Sequence, residues 1–226
     1  MKGITVNVLS KILSALALSS LTLSAHALSD QPAAPQPAAQ AISPTKPGMH
    51  LVLNAGFTFG GDSIYTGVFT NGTSKSVRGG SLIQIGIGAL WQSDQAPLAL
   101  MLSTNYHWDN VTASNGELSF HRFPIEMLAY YTGAERFRIG GGLRIVNSPE
   151  ASATVNGVTD KIIFDNATGV VGEIGYQLAD HGWLNFRLVS EKYQGKTHTI
   201  GGATTSLAGT QAVDGSHLGV NFTYDF

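Results

Sequence analysis

From residue 49 to the C-terminus the chain alternates apolar and polar residues with a period of two. The last segment is the clearest. Leu218, Val220, Phe222, Tyr224 and Phe226 share one parity; His217, Gly219, Asn221, Thr223 and Asp225 share the other. Successive strand side chains point to opposite faces, so this spacing predicts a strand with one apolar and one polar face. Seven earlier segments repeat the pattern. Their apolar sets are Leu51, Leu53, Ala55, Phe57 and Phe59; Ile83, Ile85, Ile87, Ala89 and Trp91; Leu98, Leu100, Leu102, Tyr106 and Trp108, interrupted by Thr104; Phe123, Ile125, Met127, Ala129 and Tyr131; Phe137, Ile139, Gly141, Leu143 and Ile145; Val170, Gly172, Ile174, Tyr176 and Leu178; and Leu184, Phe186 and Leu188. The residues between them are mostly Gly, Asn, Gln, Ser, Thr, Arg and Glu.

The connections alternate in kind. Short ones fall at 93–97, 132–136 and 179–182. Four long ones carry the pairs Asn71-Gly72, Asn115-Gly116, Asn156-Gly157 and Gly201-Gly202. Such pairs supply the positive φ angles of two-residue hairpins, so each long connection is expected to prolong its ladder and turn at the tip. Short turns on one side, long hairpins on the other and an even strand count are the pattern of a membrane barrel, whose strands need ~9–11 residues to cross. Aromatic residues gather near the predicted strand ends. Trp91, Tyr131, Phe137, Trp183, Tyr224 and Phe226 lie toward the short turns; Phe59, Tyr106, Trp108 and Phe123 lie toward the long hairpins. They are expected to form two interfacial girdles, with Trp91, Trp108, Tyr131 and Trp183 as the leading members. The predicted fold is therefore all-β: an eight-stranded antiparallel up-and-down transmembrane β-barrel, a meander over 49–226. A soluble sandwich would hide these faces and need no girdles.

The start of the chain predicts export. Lys2 and Lys11 precede an apolar run over 12–23, which ends in Ser24, Ala25, His26 and Ala27. A basic start, a short apolar core and an Ala-x-Ala end describe a signal peptide, 1–27. The run is too short for the ~20 residues of a helical anchor. Residues 28–48 contain Pro32, Pro35, Pro37, Pro44 and Pro47. They predict a disordered spacer, because proline removes backbone donors. The chain has no cysteine, which rules out a lipoprotein anchor, a disulfide framework and a thiolate metal site. Cleavage after Ala27 removes two of the 13 basic residues and none of the 15 acidic ones, leaving a net charge of −4. No basic patch for nucleic acid is expected.

On these features the chain resembles the small eight-stranded outer-membrane proteins, of the OmpA transmembrane-domain and OmpX type, over about 49–226. Gly219, Phe222, Tyr224 and Phe226, within the terminal Phe222-Thr223-Tyr224-Asp225-Phe226, look like that family's assembly signal. The resemblance implies a bacterial outer-membrane location with both termini periplasmic. It implies lipid and lipopolysaccharide as surroundings and the barrel-assembly machinery as a partner during insertion. An OmpX-like barrel is expected rather than an OmpA-like peptidoglycan-binding protein, with no second domain after Phe226.

The inward positions carry the chemistry. Counted from the short-turn ends, Glu126, Arg144, Glu173 and Arg187 come out near one level on neighbouring strands. Arg122, Glu191, His107 and His217 lie higher on the same face. An eight-stranded barrel is just wide enough for its own side chains, and an unpaired buried charge costs several kcal/mol. These groups therefore predict a salt-bridged, largely closed lumen. A polar gate or narrow pore is the second reading, and a lipid A-modifying enzyme the third. Catalytic signals are poor: no His-x-Ser follows residue 27, and Ser103 and His107 stand four residues apart on one strand, ~13 Å. No metal site or cofactor is expected. The hairpins, rich in Thr, Ser, Asn and Gly with scattered Lys75, Arg78, Lys161 and Lys196, suit adhesion or another surface contact with an unnamed extracellular ligand.

Overall fold

A computed structural model describes residues 4–7, 45–69 and 71–226. The predicted signal peptide, apart from 4–7, and most of the predicted spacer lie outside the described residues.

Alternation over 48–226 becomes strands wherever turn residues punctuate it. In chain order these are β2 (Gly48–Gly60), β3 (Ser63–Phe69), β4 (Ser74–Arg78), β5 (Leu82–Gln92), β6 (Leu98–Ala113), β7 (Gly116–Ala134), β8 (Phe137–Val155), β9 (Val158–Phe164), β10 (Ala167–Ala179), β11 (Gly182–Tyr193), β12 (Gly195–Ile200), β13 (Ala203–Ser206), β14 (Val213–Asp214) and β15 (His217–Asp225). A short β1 (Ile4–Asn7) precedes them. Eight strands close a barrel. β2, β5, β6, β7, β8, β10, β11 and β15 pair antiparallel in that order, and β15 returns to β2 with Leu218 opposite Phe59 and Tyr224 opposite Leu53. Closure leaves no unpaired edge around the wall.

The predicted apolar sets form the outer surface. Phe57, Leu102, Met127, Leu143, Phe186 and Leu218 are each more than half exposed. Buried polar residues line the inside, among them Asn54, Thr58, Gln84, Ser103, Asn105, Asn185, Asn221 and Thr223. An apolar belt of this extent is untenable in water and is what a lipid bilayer requires. Most backbone groups of the wall are meanwhile paired by the closed ladder. The inside is not uniformly polar. Val52, Leu90, Ala99, Met101, Leu128, Val171 and Val189 pack as a lower apolar cluster.

The short turns fall where expected, between Ala134 and Phe137 and between Ala179 and Gly182. Two long hairpins also turn as expected. Asn156-Gly157 (φ 50° and 81°) and Gly201-Gly202 (φ 54° and 91°) adopt paired left-handed conformations. The β6–β7 turn is Ser114-Asn115, one residue earlier than the predicted pair, because Gly116 already pairs with Ala113.

The first long connection departs from the expectation. It does not prolong the β2–β5 ladder. Gly60 and Gly61 take φ of 137° and 76°, the strand breaks, and β3–β4 folds as a separate hairpin over the barrel. Only glycine fits the hinge: a Cβ on Gly61 would lie 2.4 Å from the Gly80 nitrogen. The underside of this lid is apolar. Ile64, Tyr65 and Val77 pack on Val111, Leu118, Phe120, Ala151, Ala153, Phe164 and Tyr193 from the inner faces of the strands around them. The fourth connection also departs, sending the β12–β13 hairpin to pair with β9 while β14 returns to β11. Strands β6, β7 and β8, of 16, 19 and 19 residues, exceed the ~9–11 needed to cross a bilayer. Their excess length walls this crown.

Candidate functional site

Strand parity and register assemble the lumen. Glu126 on β7 stands opposite Arg144 on β8, and Glu173 on β10 stands opposite Arg187 on β11. Side chains then bridge across the interior. Glu126 accepts from Arg144 Nη1 through Oε1 at 2.7 Å and from Arg187 Nη2 through Oε2 at 2.7 Å. Arg187 Nε lies 3.2 Å from Glu173 Oε2, and Arg138 Nη2 lies 3.7 Å from Glu173 Oε1. In the other direction Arg144 Nε lies 2.9 Å from Glu191 Oε2, and Arg122 Nε lies 3.9 Å from Glu191 Oε1. The result is one alternating ladder: Arg122, Glu191, Arg144, Glu126, Arg187, Glu173, Arg138. All seven members are buried.

All six predicted lumen charges belong to this ladder, but the four expected near one level, Glu126, Arg144, Glu173 and Arg187, do not share it. Arg144 stands opposite Gly169, four residues along β10 from Glu173, a rise of ~13 Å. Barrel strands are tilted and staggered, so equal counts from the strand ends do not give equal heights. The long arginine side chains take up the steps.

Aromatic rings cap both ends. Arg138 lies 4.6 Å from the ring centres of both Tyr130 and Trp183. Arg122 lies 4.9 Å from Phe120 and 5.8 Å from Tyr193. A cation over an aromatic face recovers part of the attraction lost with water. Hydroxyls and amides complete the network. Tyr130 donates to Glu173 at 2.9 Å, and Tyr193 donates to Glu191. Arg138 donates to Asn185 at 2.8 Å, which donates to Thr223 at 2.8 Å. His107 Nε2 lies 2.8 Å from Thr58 Oγ1 and 3.2 Å from Arg122 Nη2. His217 sits edge-on to His107 at 5.4 Å.

Trp183 requires a correction. It was expected in an interfacial girdle, yet it is 5% exposed and stacks on Arg138 inside the barrel. Its own strand explains this: Leu184, Phe186 and Leu188 face out, so Trp183 has inward parity. The same parity argument applies to Arg138, flanked by outward Phe137 and Ile139. Arg138, Tyr130, Phe120 and Tyr193 were not among the predicted residues, and Trp183 was expected only in the girdle. Trp91, Trp108 and Tyr131 do face outward, and Trp108 stacks on Tyr106 at 5.1 Å.

The terminal strand divides its predicted signal between two faces. Phe222, Tyr224 and Phe226 are exposed on the outer wall. Gly219 faces in, where a Cβ would lie 3.1 Å from Arg187 Cγ, so its bareness makes room for the ladder. The Phe226 nitrogen donates to Leu51 at 2.9 Å, which ties the chain end to β2.

The lid is fastened by polar contacts. Tyr65 on β3 donates to Asp160 on β9 at 2.8 Å, and His198 Nε2 on β12 lies 2.6 Å from the same Asp160 oxygen. Burial and the neighbouring carboxylate push the Tyr65 phenol well above its ordinary pKa. The Arg78 backbone nitrogen donates to Asp109 at 2.9 Å. Backbone and side chain of Asp62 and Asp214 close a further pair, at 2.7 and 3.0 Å. At the short-turn end a cavity of about 350 Å³, lined by Gln92, Thr132, Arg136, Gln177 and Trp183, opens below the ladder. Ser103 accepts from Asn105, while His107 is engaged by Thr58 and Arg122.

These features define a transmembrane β-barrel filled by its own charged side chains and roofed by a hairpin. No protein-family model matches the chain, and no curated protein matches it. Among solved structures it is similar to Neisserial surface protein A (NspA), at 11% identity and a TM-score of 0.47, with 79% of this chain and 97% of that one covered.

Proposed function

We propose that this protein is an exported, non-enzymatic and non-conducting barrel of the bacterial outer membrane, acting in envelope structure and surface contact. In this reading residues 1–27 are removed as a signal peptide and the following proline-rich segment stays periplasmic. Both termini then lie on the short-turn side, and the crown stands outside, among the lipopolysaccharide head groups. The terminal Phe222, Tyr224 and Phe226 present the outer face read by the assembly machinery.

One observation carries the closed reading: the alternating arginine and glutamate ladder occupies the lumen with all seven members buried. A conducting path needs mobile water beside its charges. Here each glutamate contacts two arginines, which are then unavailable to a passing ion. The lid forms a second barrier in series. The test is conductance of residues 28–226, refolded and reconstituted in a planar bilayer. The expected trace is flat. Steady single-channel steps would overturn the closed reading and promote the narrow channel.

A further inference from the structure

The lipid-facing wall is not smooth. Across β15, β2, β5 and β6 its outward side chains leave a groove of about 750 Å³ with an almost wholly apolar lining. Register explains the hollow. Ala55 on β2 stands between Phe222 on β15 and Ile85 on β5, and Thr104 on β6 stands between Ile87 on β5 and Ile125 on β7. Each is a short side chain between long ones. Tyr106 and Phe123 wall the groove at one end, and Tyr224 and Phe226 at the other. The first end belongs to the hairpin-side girdle, because Tyr106 packs on Trp108 and Phe123 with ring centres 5.1 and 5.0 Å away. The groove therefore descends through the belt toward the short turns.

Thr104 gives this groove a polar point. It interrupts the outward set of β6, Leu98, Leu100, Leu102, Tyr106 and Trp108, and it is exposed. Among the described residues its hydroxyl has no hydrogen-bond partner. A hydroxyl left unpaired in hydrocarbon is costly. Thr104 lies one outward position below Tyr106, ~7 Å along the strand. Just beneath the girdle, the polar atoms of a lipid are those that join an acyl chain to its head group. A threonine hydroxyl both donates and accepts, so it matches an ester carbonyl or a hydroxyl on the chain. Above the girdle the exposed Arg78 donates to the Gly61 carbonyl at 3.1 Å, two residues beyond Phe59 at the top of β2. A cation thus stands at the head-group end of the same wall, as a lipid phosphate requires.

We propose that this groove binds one acyl chain of a lipopolysaccharide molecule, with an ester or hydroxyl near the head end bonded to Thr104 and the chain laid over Ala55 toward Tyr224. This rests on the orientation proposed above, which puts Tyr106 in the outer leaflet. The occupant follows from continuity, since the groove interrupts a wall that already faces hydrocarbon. Width selects it too. The residues flanking Ala55 are one strand spacing away on either side, ~5 Å each. An extended hydrocarbon chain fits there, and a helix of ~10–12 Å does not.

The experiment uses the protein isolated from outer membranes in detergent, with native mass spectrometry as the readout. The probes are purified lipid A and a phosphatidylethanolamine of matched chain length. One lipid A should be retained per barrel. Thr104→Val, which keeps shape and removes the hydroxyl, should weaken retention roughly fivefold, and Thr104→Ser should restore it. Ala55→Phe should abolish retention by filling the hollow. Leu143→Phe, on the far side of the barrel, should leave it unchanged. No retention, or retention indifferent to Thr104→Val, would overturn the proposal. Equal retention of phosphatidylethanolamine would overturn it in favour of a phospholipid site. A dimer that Ala55→Phe dissolves would overturn it in favour of a second copy as occupant. A cysteine at Gly72 protected from an impermeant label on intact cells would instead refute the orientation, and lipopolysaccharide as occupant with it.

Discussion

Arg187 on β11 reaches across the lumen to Glu126 on β7, a 2.7 Å contact between strands separated by β8 and β10. It ties opposite walls of the barrel together, which no backbone ladder does. Removing one partner leaves the other buried with a single remaining counter-ion, Arg144 for Glu126 and Glu173 for Arg187, a loss of up to about 3–5 kcal/mol. Arg187→Ala and Glu126→Ala should each lower the urea unfolding midpoint in lipid vesicles. The double variant should lose less than the sum of the two, the mark of direct coupling. Additive losses would mean that the contact is incidental.

The ladder should weaken unevenly. Glu173 has Arg187 at 3.2 Å and Arg138 at 3.7 Å. Arg138→Met leaves Glu173 one close partner, whereas Arg187→Met strips the nearer cation from Glu173 and one from Glu126. The expected order of loss is Arg187→Met above Arg138→Met, measured as urea midpoints. Trp183→Ala should open the short-turn mouth without conductance, because the ladder above it remains.

Tyr65→Phe deletes one hydrogen bond of the lid, worth about 1 kcal/mol. His198→Ala removes another contact to the same carboxylate. Together they should free the lid, so that added protease cleaves the exposed turn around Gly72 faster on intact cells. The barrel's unfolding midpoint should barely move. A lid no more sensitive than wild type would mean that the apolar underside alone holds it.

Topology is open to labelling. Single cysteines at Gly72, Asn115, Gly157 and Gly202 should react with an impermeant reagent on intact cells. Cysteines at Asp94, Gly133 and Asp180 should react only after lysis. One long hairpin protected from outside would reverse or break the assigned orientation.

Face assignment in β15 can be read from insertion yield. Phe222→Asp sets a charge against lipid, where charged side chains cost up to roughly 2–4 kcal/mol at mid-depth, less for Asp than for Lys or Arg. Thr223→Ala alters only the inside. The first should impair membrane insertion much more than the second. Equal yields would reverse the phase of the strand.

Period-two alternation made the eight barrel strands legible, since each step along a strand changes face and the lipid side admits only apolar residues. It also placed Glu126, Arg144, Glu173 and Arg187 in the lumen. It did not give their heights, because stagger is a property of the closed sheet and not of any one strand. Trp183 was misread by residue type: tryptophan near a strand end suggests a girdle, yet its neighbour Leu184 already fixed its parity as inward. The lid was the hardest feature to read. Asn71-Gly72 announces a hairpin but not its direction, and the inward fold depends on contacts to β6, β7 and β9 far away in sequence. The doublets Gly60-Gly61 and Gly79-Gly80, which bracket the hairpin, were the available sign.

The inner face of β6 and β7 changes character along its length. On β7 the inward parity runs from Glu126 through Arg122 to Phe120 and Leu118, while the outward parity runs from Met127 and Phe123 to His121 and Ser119. One uninterrupted strand thus obeys two opposite solvent codes, hydrocarbon below and water above. A slip of one residue would be wrong in both media at once, setting charge against lipid and Leu118 against water. The crown therefore acts as a second reader of the same register, and a barrel trimmed to its belt would lose that check on how its strands align.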